Sequence, residues 1–335
     1  MINRLKRRDW VLRWLGLFLR LGLGLGLLAV ALYDVDFEVI GDTLARTNPL
    51  WLTITASTVV LGLAIKTVRW RLLLPPALRM KHWHDLGGAL LMGQAGSILL
   101  PFRGGDVIRA SVIAVGNATQ FPVVLAGILI EKALDLCMLA LASIIVLPLL
   151  PPPYASAGWV PILMTATGVI ALSLGVVIGG RRTWKLIRRI LLQLPGRLAN
   201  LPVKWGDQIA EGLDGLRSPK HLLASLALSV LVWCIMLITN LAMFKTLDLD
   251  VPTQGGLLVL VLVHIGLIPA LMPGNLGPFY FFARLSLSSF DLTAAETAGF
   301  AILLHALVTL PPLLGAGAYL SLRRWTGEQR EVLGS

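Results

Sequence analysis

Leu100-Pro101-Phe102-Arg103-Gly104-Gly105-Asp106 and Met272-Pro273-Gly274-Asn275-Leu276-Gly277-Pro278 each interrupt a long apolar stretch with helix breakers and polar atoms. Proline has no N–H to donate and glycine tolerates any φ, so both runs predict turns inside otherwise helical segments. In hydrocarbon, broken backbone persists only where protein buries it or where it lines a cavity. Paired breaks at matching places in two halves point to a binding site near the middle of the membrane.

Composition sets the hydrocarbon context. Of 335 residues, 56% are apolar and 14% charged, with a mean hydropathy of +0.79, as expected of a polytopic all-α membrane protein. No polar stretch is long enough for a soluble catalytic domain. The net charge of +11 would suit nucleic acid, but its placement excludes that partner. Of 29 Lys and Arg, 22 fall in four clusters: Arg4 to Arg13, Lys66 to Lys81, Arg181 to Lys220, and Arg323 to Arg330. One topology puts all four on the same side, which the positive-inside rule makes the cytoplasm. The connecting segments on the other side are acidic, with Asp34, Asp36, Glu38 and Asp42, then Asp248 and Asp250, then Asp291 and Glu296. The basicity therefore reports orientation and contact with anionic lipid. Cys137 and Cys234 lie within predicted spans and read as core residues.

The chain reads as one transmembrane domain, 1–335, with six spanning helices and two re-entrant helical hairpins arranged as an inverted repeat. Residues 13–48 hold a leading span and an outer loop. Residues 49–150 form the first repeat, with its hairpin at 86–118. Residues 151–220 hold span 4 and a cytoplasmic amphipathic linker. Residues 221–322 form the second repeat, with its hairpin at 255–290, and 323–335 are a cytoplasmic tail. The hairpin arms are shorter than the roughly 20 residues an upright span needs, so re-entrance is preferred over a pair of thin full crossings. Pro101, Gly105, Ala126 and Gly127 fall on Pro273, Gly277, Ala298 and Gly299 at a constant offset of 172. In the leading span, Gly22 and Gly26 share a face suited to close helix packing. A basic start followed by an apolar run and Ala29-Val30-Ala31 resembles a signal peptide, but Arg20 interrupts the run and an uncleaved span is expected.

Chemistry is expected where charge is buried. Arg103 lies in the first break, and Asp106 and Arg109 follow on one face of the second arm. In the third span, Glu131 falls about 13 Å from the cytoplasmic start, with Asp135 one turn further and Lys132 rotated by about 100°. Charges at that depth need partners. Arg103, Arg109 and Lys132 against Asp106, Glu131 and Asp135 form a neutral set. They read either as a satisfied polar core or as a headgroup site in which Arg103 or Arg109 binds an anion. The second arm of each hairpin begins at its break, at Gly104–Gly105 and near Asn275 and Gly277, where unpaired N–H groups and the positive dipole end attract phosphate.

His305, near the middle of span 6, either relays protons with the Glu131, Lys132 and Asp135 network or packs with a hydrogen bond. Phe279, Tyr280 and Phe282 either line an acyl path or face lipid. His82-Trp83-His84-Asp85 reads as an interfacial anchor. Trp184, Ile187, Leu191 and Leu194 recur at helical spacing among basic residues, as in an interfacial helix or one packed on the protein's own underside. No nucleotide loop, zinc motif or nucleophile elbow occurs, so no enzyme activity, cofactor or metal is expected.

At these residues the chain resembles the flippase-like transmembrane family found in the N-terminal half of lysylphosphatidylglycerol synthases. The resemblance runs from about span 2 to the C-terminus. Leu100, Pro101, Arg103, Gly105, Asp106 and Arg109 match the family's first break, with Asp106 where glutamate is usual. Glu131, Lys132 and Asp135 match its acidic–basic pair and following aspartate, and Pro273, Gly274 and Gly277 match the second break. Two departures stand out. An aromatic near Tyr280 replaces a glutamate, and Ala306 replaces an arginine. The resemblance implies translocation of a lipid or lipid-linked substrate between leaflets, without the aminoacyl transfer of the synthases' soluble domain.

The expected function is flipping of an anionic or phosphate-bearing lipid across a bacterial inner membrane by alternating access, with both termini cytoplasmic. The alternatives are a non-transporting partner that recruits a lipid-modifying enzyme and a membrane-embedded lipid-phosphate enzyme. Arg181–Lys220 is where a protein partner would dock, and a homo-oligomer is compatible with the chain.

Overall fold

A computed structural model describes residues 21–33, 36–74, 82–100, 104–114, 120–146, 148, 159–179, 181–193, 203, 205–210, 219–268 and 273–333. Among these residues there are helices and no strands. The helices are α1 (Leu21–Leu32), α2 (Phe37–Ala45), α3 (Pro49–Leu72), α4 (Trp83–Leu99), α5 (Gly105–Ile113), α6 (Gln120–Val146), α7 (Trp159–Gly179), α8 (Arg181–Leu191), α9 (Pro219–Thr246), α10 (Thr253–Leu267), α11 (Leu276–Leu287) and α12 (Ala294–Leu333). Within α3, α9 and α12, the stretches Pro49–Leu72, Lys220–Thr246 and Ala294–Arg323 are each long and apolar enough to cross a bilayer. Shorter apolar runs lie at Leu21–Leu32, Met164–Ser173 and Thr253–Leu267. The protein is therefore a multi-pass helical membrane protein. Residues 13–20 of the leading span, the outer turn Pro151–Pro153 and Arg103 lie outside the described residues.

Local sequence sets the helix starts. Asn48 caps α3 by accepting from the N–H groups of Leu50 (3.0 Å) and Trp51 (3.3 Å), with Pro49 at the first helical position. Thr293 and Glu296 form a reciprocal capping box at the start of α12. The segment read as an outer loop folds as α2, because Asp36 accepts from the N–H of Glu38 at 2.9 Å and Glu38 complements the helix dipole.

The arms of the two breaks pack as antiparallel pairs. In the first pair, Gly93 and Gly96 of α4 meet Arg109 and Ile108 of α5. In the second, Gly255 of α10 meets Phe290, just beyond α11, and Gly266 meets Phe282 on α11. At 9 residues, α5 extends only about 14 Å, less than half the hydrocarbon thickness.

At the centre, α3 and α9 run antiparallel. Thr55 meets Thr246 (3.1 Å), Thr58 meets Thr239 (2.9 Å), and Arg69 reaches Ser229 (3.0 Å). Small and hydroxyl side chains let these backbones approach closely, the usual solution where lipid offers no hydrophobic drive. Outside this pair, α4 packs antiparallel on α12, with Leu91 over Gly315 and Asp85 accepting from the Tyr319 hydroxyl at 3.3 Å. The leading helix uses Gly24 rather than Gly22 or Gly26, which face open space. Gly24 abuts Gly277 of α11 so closely that a Cβ on Gly277 would collide with the Gly24 carbonyl. Arg284 then donates to the carbonyls of Ala31 (3.0 Å) and Tyr33 (2.7 Å), capping α1.

Candidate functional site

The buried charges gather around Arg69, in the last turn of α3 and 0% exposed. Its Nη1 donates to Asp135 Oδ1 at 2.6 Å and to Ser229 Oγ at 3.0 Å, and its Nη2 donates to Glu131 Oε1 at 3.0 Å. One guanidinium thus ties α3 to both α6 and α9. Arg109 of α5 approaches Glu131 from the other side, with Nη2 at 2.8 Å from Oε2. The same guanidinium lies 3.7 Å from the centroid of the Trp70 ring, a desolvated cation–π contact. Lys132 and Asp106, both partly exposed, pair at 3.3 Å. Three cations and three carboxylates pair in this set, and Lys66, one turn before Arg69, adds a fourth basic side chain within electrostatic reach of Asp135 and Glu131.

Arg69 takes a place in this set that sequence reasoning did not give it, having grouped it with the cytoplasmic cluster Lys66 to Lys81. A signal was present. Thr55, Gly62, Lys66 and Arg69 are spaced by seven, four and three, one helical stripe of small and polar residues rather than a snorkelling end. Two glycines complete the geometry. A Cβ on Gly105 would strike the Gly93 carbonyl, and one on Gly93 would come within 2.8 Å of the Arg109 Cβ. Their absence lets α5 lie against α4 and deliver Arg109 to Glu131.

A cavity of about 270 Å³ opens beside this network, bounded by α3, α4, α9, α10, the second break and α12. Its polar lining includes Lys66, Gln94, Asn240, His264, Asn275 and His305. Lys66, one turn before Arg69, donates no hydrogen bond and pairs with no carboxylate within 4 Å among the described residues. The second break forms part of the wall. Gly274 (φ +69°) and Asn275 (φ +53°) both take left-handed backbone, which turns the chain sharply into α11. His305 Nε2 lies 2.8 Å from the Gly274 carbonyl and braces this turn. The Asn275 amide oxygen is buried and accepts no hydrogen bond among the described residues. Asn240 donates to the Gly256 carbonyl at 3.1 Å and holds α9 to α10.

The remaining expected site residues fall in distinct places. Gly104 and Gly105 open α5, and Gly277 is taken up by its contact with α1. Phe279 lines the cavity with its ring 4.8 Å from that of His305, while Tyr280 and Phe282 pack on the apolar core of the second half. Glu131, Lys132 and Asp135 lie in the charge network and His305 in the cavity wall, so the structure divides these four between two neighbouring sites.

The sequence offset of 172 that aligns the two breaks leads from the buried charges to apolar residues. Adding 172 to Arg69, Glu131 and Asp135 leads to Leu241, Leu303 and Leu307. All three pack on a core built around Phe244 and Phe300. At that offset a buried ion network is matched by leucine packing.

Comparison with known proteins gives this arrangement its relatives. The sequence pattern described as "Lysylphosphatidylglycerol synthase TM region" matches residues 17–316. A protein of Haloferax volcanii named "Glycosyltransferase AglD" is 28% identical over 167 residues, 48% of this chain and 26% of that protein. This chain therefore spans only a fraction of that relative's length. The chain belongs to the lysylphosphatidylglycerol synthase transmembrane-region family.

Proposed function

We propose that this family member moves a lipid or lipid-linked substrate with an anionic headgroup between the leaflets of a bacterial inner membrane, without altering it chemically. The observation that carries the reading is the cavity between α3, α4, α9, α10 and α12, into which both halves of the chain contribute side chains. Helices at an offset of 172 correspond throughout: α3 with α9, α4 with α10, α5 with α11, and α6 with α12. The central pair α3 and α9 is antiparallel, which favours an inverted repeat. In this reading the short arms are re-entrant, six helices span, and both termini are cytoplasmic. The hairpins expose the cavity to one leaflet and then the other.

The family's name joins it to a lipid synthase, and the Haloferax volcanii relative is named for glycosyl transfer. A transmembrane module that recurs beside different chemistries fits translocation better than either chemistry. The test is reconstitution in liposomes with headgroup-labelled lipid in both leaflets, reading how much label a membrane-impermeant quencher can reach over time. Faster loss of protected label than in protein-free liposomes is expected. A rate equal to the protein-free control would end the proposal. Arg103→Ala, which alters the first break, is expected to abolish the activity while the protein still folds.

A further inference from the structure

Helix α8 carries five cations, Arg181, Arg182, Lys185, Arg188 and Arg189, and no acidic residue in its 11 positions. It starts two residues after α7, a helix with no charged residue, so it begins at the membrane surface. Like charges at i and i+4, Arg181 with Lys185 and Lys185 with Arg189, oppose the helix. A helix this short is also marginal in water. Its order therefore depends on what surrounds it.

On one side the surroundings are the protein's own. The Trp184 indole donates to Asp207 at 2.7 Å and lies against Gly206, where a Cβ would collide with the ring. Arg188, one turn on, brings Nε to 3.4 Å from the same carboxylate. The short helical segment 205–210 that receives them rests in turn on α6 and the end of α3. Trp205 meets the Phe121 ring edge-on at 5.7 Å, and Ile209 packs on Leu73, Ala126 and Ile130. Trp184 and Arg188 reach Asp207 together because four residues make about one helical turn. The segment is thus clamped between α8 and α6 only while α8 is helical.

The other side of α8 is open. Leu186, Ile187 and Ile190 are exposed, with Arg182, Lys185 and Arg189 exposed beside them. Any bilayer would bury the three apolar side chains, but only an anionic one would also offset the repulsion among the cations. We infer that α8 docks on anionic lipid of the adjoining leaflet, and that this docking closes the clamp on Asp207 and orders segment 205–210 against the base of α6. By linkage, lipid binding and clamping strengthen each other. This surface is separate from the cavity, and the inference does not depend on translocation.

The test is hydrogen–deuterium exchange of the full chain in nanodiscs, one chain per disc, comparing phosphatidylcholine with phosphatidylcholine containing phosphatidylglycerol. Amides of 181–193 and of 205–210 are expected to exchange about ten-fold more slowly with phosphatidylglycerol, within the usual range of coupling between linked sites. Amides of α9 should be unchanged. Arg182→Gln, Lys185→Gln and Arg189→Gln together leave Trp184 and Arg188 in place and keep good helix formers. This triple variant should lose the slowing in both segments, with an unchanged melting temperature in detergent showing that it folds. Asp207→Ala should keep the slowing in 181–193 and lose it in 205–210.

Equal exchange of the unmodified chain in the two discs overturns anionic lipid as the partner. Slowing that survives the triple variant overturns the cations of α8 as the site. Slowing in 181–193 that never reaches 205–210 in the unmodified chain overturns the clamp. Slowing that appears only with two chains per disc assigns the open face to a second copy and overturns the lipid.

Discussion

Arg69 and Asp135 meet at 2.6 Å inside the bundle, joining the last turn of α3 to the middle of α6. At the positions 172 residues on, Leu241 and Leu307 pack on an apolar core. The offset that aligns the two breaks thus sets a buried ion pair against hydrocarbon packing.

Removing one partner from the buried network is expected to be severe. Arg69→Met leaves Asp135 without its cation and Glu131 with Arg109 alone, and should cost about 3–5 kcal/mol. Thermal unfolding in detergent measures it. Replacing the whole set as the other half does, with Arg69→Leu, Arg109→Phe, Glu131→Leu and Asp135→Leu together, should recover most of the loss. Failure of the combined variant to melt above Arg69→Met would show that leucine packing cannot replace the network.

Gly105→Ala tests the contact between the arms of the first break. Its new methyl meets the Gly93 carbonyl, which is backbone and cannot rotate away. We expect a loss of about 1–3 kcal/mol. Arg109 should also withdraw from the Trp70 ring, visible as a change in tryptophan fluorescence relative to a Trp70→Phe control.

The leading helix offers a paired comparison. Gly277→Ala drives a methyl into the Gly24 carbonyl and should lower the melting temperature. Gly22→Ala and Gly26→Ala face open space and should change stability by no more than about 0.5 kcal/mol. Equal effects at all three positions would contradict the packing of α1 on α11.

The amphipathic helix α8 should lie on the membrane surface. Its Trp184 is turned toward the segment 205–210, where the indole donates to Asp207 at 2.7 Å. Leu186, Ile187 and Ile190 remain exposed among Arg182, Lys185, Arg188 and Arg189. A polarity-sensitive dye on Leu186→Cys, with Cys137 and Cys234 replaced, should shift to the blue in anionic vesicles. No difference between anionic and neutral vesicles would place this face elsewhere.

The sequence by itself determined what local chemistry controls. Helix breakers at Pro101 and Pro273 and long apolar runs act within a few residues, so the main apolar helices were legible without a fold, while α2 reads as a loop although Asp36 caps it. That Glu131 and Asp135 share a helix face followed from helical periodicity, and the need for partners from the cost of buried charge. Which cation answered them was decided only by tertiary structure. Arg69 sits at a span end among other basic residues, where linear sequence cannot distinguish snorkelling from burial. The close packing of α3 on α9 makes that choice. The use of Gly24 rather than the Gly22 and Gly26 face has the same origin, since a helix presents several small-residue stripes and only its neighbour selects one. The cavity is the extreme case. Lys66, Gln94, Asn240, Asn275 and His305 are separated by up to 239 positions in sequence, and only the packing of the two halves brings them to one wall.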